Sequence, residues 1–213
     1  SLSGPAGNTV TLSISSAEAN QAPSVSIAGQ NATVTGSGSS WSAAYIMAGS
    51  DSEGTVSLNI GFSDPAGNAG DNVTSTTNAS AVLFDKTAPT LPSVTIASNN
   101  SVSTLAKTGD NVTLSITSLE VIQTPSVTIA GQNATVTGSG TSWSAGYTMT
   151  SSYSSNVPVS LRVSFSDLAG NTGTVTSTTN SSAVQFDRTS PTLNEITPVP
   201  TPTPDNASNY TFS

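Results

Sequence analysis

The sequence predicts an all-β fold: two tandem antiparallel β-sandwiches of about seven strands each, arranged head to tail. Three observations lead there. The stretch ProSerValSerIleAlaGlyGlnAsnAlaThrValThrGly at Pro23–Gly36 returns almost letter for letter at Pro125–Gly138. Apolar residues alternate with polar ones along short runs, the two-residue period of a half-buried strand. No window carries the i, i+3, i+4, i+7 spacing of an amphipathic helix.

The repeat spans a whole domain. Val10–Ile14 matches Val112–Ile116, Trp41 matches Trp143, Tyr45 matches Tyr147 and Phe84-Asp85 matches Phe186-Asp187, all at a shift of 102 positions. Around Phe62 and Phe165 the shift becomes 103, and it returns to 102 by Val73 and Val175. Loops absorb such length changes and strands do not, so the copies share one fold. A period this long is one domain rather than the ~20–50 residues of a solenoid repeat.

The elements follow in order. Val10, Leu12 and Ile14; Val25 and Ile27; Trp41, Ala43, Tyr45 and Met47; and Val56, Leu58, Ile60 and Phe62 each place apolar side chains on one face of a strand. Copy two repeats the pattern from Val112 to Phe165. Gly, Asn, Asp and Pro separate these runs at 36–38, 66–68, 109–111 and 169–171, where turns are expected. Trp41 and Trp143 lie in line with Tyr45 and Tyr147, so core packing is expected of them before ligand stacking. Tyr153, in a Ser-rich loop, is the one candidate for an exposed aromatic platform of a carbohydrate-binding module.

Composition narrows the function. Cysteine and histidine are absent, which removes disulfides, thiolate metal sites, the commonest general base and the commonest transition-metal ligand. Twelve acidic residues against four basic ones give a net charge of −8, which argues against nucleic acid or an anionic membrane as partner. Hard cations such as calcium remain compatible. Ser and Thr make up about a third of the chain while charged residues are 8%, a balance that fits an exported surface protein. No apolar run reaches the ~18 residues of a membrane span, and no signal peptide opens the chain. No nucleophile has a histidine partner, so no enzyme is expected.

PheSerAspProAlaGlyAsn at 62–68, PheAspLysThrAlaProThr at 84–90 and GlySerGlySerSerTrpSerAlaAlaTyr at 36–45, with their copies, resemble the tandem bacterial Ig-like repeats of large surface adhesins and other repetitive exported proteins. The resemblance covers nearly the whole chain to Leu193. It implies a seven-stranded Ig-like sandwich, export to the cell surface, head-to-tail stacking and, in several such adhesins, calcium at the joints. The domains then read as 1–89, with its first strand missing, and 90–191, followed by a Pro/Thr-rich linker and an opening strand at 192–213.

In an Ig-type strand order, Glu120 falls in the loop after the second strand of copy two, Asp167 opens a turn at the same pole, and Asp85 ends copy one just before the linker. Asp85, Glu120 and Asp167 are therefore expected to converge as an interdomain calcium site, with Glu18, Asp64 and Asp187 as equivalents at the outer joints. Calcium takes six to eight oxygens, which carboxylates, carbonyls and water supply. The other reading is local: Asp64 and Asp167 precede AlaGlyAsn and suit turn capping, and Asp85 and Asp187 suit capping of the linker.

Two functions follow. The first is a non-enzymatic extracellular stalk or spacer in a long adhesin-like or filamentous surface protein, with neighbouring Ig-like domains as partners. The second is a self-assembling homopolymer. LeuAsnGluIleThrProVal at 193–199 aligns with LeuProSerValThrIleAla at 91–97, so a C-terminal strand is available to complete the strand-deficient first domain of a neighbour. A window cut from a longer array explains the same ends.

Overall fold

The computed structural model describes residues 2–193; the linker and opening strand expected beyond Leu193 lie outside them. The described residues form an all-β protein in which every named strand pairs within its own copy. Copy one contains β1 (Leu2–Gly4), β2 (Thr9–Ser15), β3 (Ser24–Ile27), β4 (Gln30–Asn31), β5 (Thr33–Ser37), β6 (Ser40–Ile46), β7 (Gly54–Thr55), β8 (Leu58–Gly61) and β9 (Val82–Phe84). Its sheets have the orders β2-β6-β5 and β4-β3-β8, with β1-β9-β7 as a third ribbon.

Copy two contains β10 (Ser93–Ser98), β11 (Leu105–Ala106), β12 (Asn111–Thr117), β13 (Ser126–Ile129), β14 (Gln132–Asn133), β15 (Thr135–Ser139), β16 (Ser142–Thr148), β17 (Val157–Pro158), β18 (Leu161–Ser166), β19 (Thr172–Val175) and β20 (Gln185–Phe186). The corresponding orders are β10-β12-β16-β15, β14-β13-β18-β19 and β11-β20-β17. All pairings are antiparallel except β1 with β9 and β11 with β20, which are parallel.

The alternation read from the sequence sets the core. Val112 and Leu114 are fully buried on β12 and oppose Tyr147 and Ala145 on β16, while Ile116 opposes Trp143. A small residue across from a large one lets the two inner faces interdigitate. Val127, Ile129, Val163 and Phe165 supply the facing sheet, and Phe186 closes the core. Trp143 is buried, as expected, and its indole N–H donates to Gly140 O at 3.2 Å. Gly138, opposite Trp143, has φ +123°, and an added Cβ would lie 2.8 Å from Trp143 Cα, so this close backbone approach requires glycine.

The expected absence of a first strand in copy one needs correction. In copy two the first strand is split: β10 pairs with β12 in one sheet, then the chain crosses and β11 pairs with β20. Copy one has the second half as β1, paired with β9. Sequence patterning misses this half because two or three residues carry no periodicity. The β10 equivalent is what the described residues of copy one lack. Val10, Leu12, Ile14 and Trp41 are accordingly only half-buried.

Tyr153 is no exposed platform. It packs edge-on to Phe186 with ring centroids 5.8 Å apart, donates to Pro158 O at 2.9 Å and accepts from Ser160 N at 3.1 Å.

Candidate functional site

The joint between the copies is built from two loops of copy two and the connecting segment. After β9, Asp85 N donates to Gly4 O at 3.3 Å. Pro89 and Leu91 are then buried, and Leu91 joins the core of copy two. Leu119 N donates to Thr90 O at 3.1 Å, which ties the β12–β13 loop to the connection. The β18–β19 turn is tied to copy one by Asn171, whose Nδ2 donates to Asp85 O at 3.1 Å.

Asp85, Glu120 and Asp167 meet at this place. Each offers a carboxylate oxygen, and the three lie within 4.8 Å of one another. Two oxygens bound at about 2.4 Å to one cation can stand at most about 4.8 Å apart, so the spacing fits Ca²⁺. The carboxylates differ in burial: Asp167 is 2% exposed, Asp85 half-buried and Glu120 exposed.

Local duties coexist with this geometry. Asp167 Oδ1 accepts from Gly170 N at 2.6 Å and Asn171 N at 2.9 Å, and its Oδ2 accepts from Asn171 Nδ2 at 2.8 Å. Its backbone carbonyl accepts from Gln123 Nε2 at 2.9 Å. Asp85 Oδ1 accepts from Thr87 N at 3.0 Å. A carboxylate has about four lone-pair sites, so these bonds orient the group and leave acceptor capacity for a metal.

Electrostatics single out Glu120. Desolvation first, then the charges of Asp167 and Asp85, push its carboxyl up from the ordinary value. A raised folded-state pKa gives a contribution to stability that is present below the unfolded value, about 4.3, and lost as pH rises through the folded value. In EDTA, Glu120→Gln is therefore expected to gain in urea midpoint over the parent as pH rises from 4 to about 7. Parallel curves would contradict charge crowding at the joint.

The outer equivalents are not assembled in the same way. Asp64 repeats the turn of Asp167, accepting from Asn68 N at 2.8 Å and Asn68 Nδ2 at 2.7 Å, but it is only half-buried. Glu18 is exposed, and its carbonyl accepts from Ser16 Oγ at 2.6 Å. Asp187 accepts from Thr189 N at 2.8 Å and Ser155 Oγ at 3.1 Å. Among the described residues, none of these three joins a group of three acidic side chains.

A second set of contacts was not read from the sequence. Glu53 Oε1 accepts from Lys86 N at 2.9 Å and Thr87 Oγ1 at 2.7 Å, and these bonds hold its carboxyl below the ordinary value, the Thr87 hydroxyl most. Lys86 Nζ donates to Gly49 O and Asp51 O, each at 2.9 Å. Asp51, 5% exposed, in turn accepts from Tyr45 OH at 3.2 Å and Ala48 N at 2.7 Å. This clamp fastens the start of the connection to copy one. In copy two Arg188 and Ser155 take the corresponding places, and that shared cationic residue after PheAsp was the available signal.

No protein-family model matches the chain, and no curated protein does. Among solved structures, a match is found to the Bacteroides ovatus mixed-linkage glucan utilization locus (MLGUL) SGBP-B in complex with mixed-linkage heptasaccharide, at 16% identity and a TM-score of 0.23. The match covers 86% of this chain and 39% of that one.

Proposed function

We propose that the chain is a non-enzymatic stalk or spacer segment of a long extracellular, adhesin-like surface protein, in which calcium at Asp85, Glu120 and Asp167 stiffens the joint between two sandwiches. The observation that carries this reading is the convergence of carboxylates from both copies at a connection already anchored by Pro89, Leu91 and Asn171. Paired strands and buried cores make each copy a rigid bead. Bending is then confined to the segment from Asp85 to Leu91, where a cation bound by both copies resists it.

Among the described residues, no helix is long and apolar enough to cross a membrane. The resemblance to exported Ig-like repeats and the acidic, Ser/Thr-rich composition support a place at the cell surface. Electron microscopy of the purified chain in Ca²⁺ and in EDTA tests the spacer role. A narrow distribution of bead-to-bead angles in Ca²⁺ that broadens in EDTA is expected. Equally broad distributions in both would contradict it.

A further inference from the structure

A glycine inside a strand weakens it unless something requires the bare backbone, and the fold does not require Gly146. It lies in β16, with Thr113 of β12 opposite it on one side and Thr135 of β15 on the other. The pairing with β12 runs unbroken from Ser142 to Thr148, so there is no bulge, and Gly146 is not among the glycines with positive φ. A Cβ built on it would come no nearer than 3.4 Å, to the Asn111 carboxamide, which is ordinary contact. Copy one carries Ala44 at the matching place, between Thr11 and Thr33. Alanine therefore fits the fold, and what the glycine provides is an open spot on the outer face of the sheet. Such a spot marks the close approach of a ligand or another backbone.

The open spot is the middle of a trough of ≈ 410 Å³. Val112, Leu114 and Ala145 point into the core, so their neighbours along β12 and β16 face outward. Thr113 and Thr135 flank Gly146 across the sheet, and Ser144 and Thr148 flank it along β16. With strands ~4.8 Å apart, the two flanking threonines stand about 10 Å from each other, with only backbone between them. Asn111 is opposite Thr148, and Asn133 lies two residues before Thr135, so both carboxamides fall at the Thr148 end. Tyr147, which also borders the trough, packs against the core.

The lining decides what fits. In a chain of net charge −8, no residue bordering the trough is charged, so an anion finds no cation there and a metal finds no carboxylate. Hydroxyls and carboxamides both donate and accept hydrogen bonds, which matches sugar hydroxyls group for group. A protein partner gains most of its affinity by burying aromatic, aliphatic or arginine anchors in dry pockets, and this open polar trough has none to offer. We propose that it is a binding site for a neutral glycan, with one sugar ring lying over Gly146 and its hydroxyls shared among Thr113, Thr135, Thr148 and Asn111. The site belongs to copy two alone. Copy one has Thr9, Ala44 and Ile46 where copy two has Asn111, Gly146 and Thr148, and Ile46 is 63% exposed. Binding here makes the flank of one bead a point of attachment to polysaccharide, a role beyond spacing and independent of calcium at the joint.

The test is an NMR titration of the full-length ¹⁵N-labelled chain with neutral oligosaccharides of glucose, mannose, galactose and xylose, and with an oligogalacturonate as the charged comparison. Saturable shifts are expected with at least one neutral sugar, at the amides of Asn111, Thr113, Thr135, Gly146 and Thr148 and not in the matching strands of copy one. Gly146→Val fills the open spot with a side chain that suits a strand, so it should weaken binding about tenfold or more while leaving the urea midpoint no lower. Thr148→Ile, which installs the residue copy one already tolerates, should weaken it as well. The proposal would be overturned if no neutral sugar shifted the trough amides at millimolar concentration, or if the shifts fell only elsewhere. Undiminished binding by both variants, or equal binding of the oligogalacturonate, would also overturn it.

Discussion

Replacing Trp143 with alanine is expected to cost about 3–5 kcal/mol, the range for deleting a buried aromatic side chain whose site cannot fully collapse. Trp143 lies opposite Ile116 and Gly138 in the middle of its sheet, and the indole N–H bond to Gly140 O is lost with it. The same replacement at Trp41 should cost clearly less. Trp41 makes the same bond to Gly38 O, at 3.1 Å, but is only half-buried, and its sheet has three strands among the described residues where that of Trp143 has four. Urea unfolding of the two variants checks this. Equal losses would mean that the difference in burial does not set the cost.

Asp167→Ala is expected to lower stability by about 2–4 kcal/mol, since a buried carboxylate accepting three hydrogen bonds disappears and its donors are left facing a void. Those donors are Gly170 N, Asn171 N and Asn171 Nδ2. The effect should reach the joint, because Asn171, once freed, no longer holds Asp85 O. Asp64→Ala removes the matching turn bonds where water can replace them, so its loss should be much smaller. Calorimetric melting of both variants decides the matter, and an Asp64→Ala penalty as large as that of Asp167→Ala would contradict the structural account of the turn.

The contrast between these aspartates shows what could be read from residues alone. The strands from Val112 to Ile116 and from Trp143 to Met149 were legible because period-two alternation records which side chains face the core. The meeting of Asp85, Glu120 and Asp167 was legible because strand order sends their loops to one pole. Burial was not legible: AspProAlaGlyAsn and AspLeuAlaGlyAsn look alike, yet Asp64 is only half-buried and Asp167 is buried. That difference goes with the neighbouring copy, whose Asp85 carbonyl accepts from Asn171 Nδ2, and a contact between copies is encoded in no local pattern.

Other features were hidden for different reasons. The split first strand escaped because β11 is two residues long and its pairing with β20 spans most of the domain. The clamp of Lys86 on Gly49 and Asp51 runs to backbone carbonyls 35 and 37 residues away, so residue type at the receiving end gives no clue. Tyr153 read as exposed because its loop is polar, whereas its ring is drawn to Phe186 and its hydroxyl to backbone groups.

The central claim concerns the joint, and calorimetric titration of EDTA-treated protein with Ca²⁺ tests it most directly. The account predicts saturable binding with a rise in melting temperature, both lost in Glu120→Gln, where one carboxylate of the trio becomes a neutral amide. Absence of heat and of any melting shift at millimolar Ca²⁺ in the parent protein, or undiminished binding by Glu120→Gln, would contradict it.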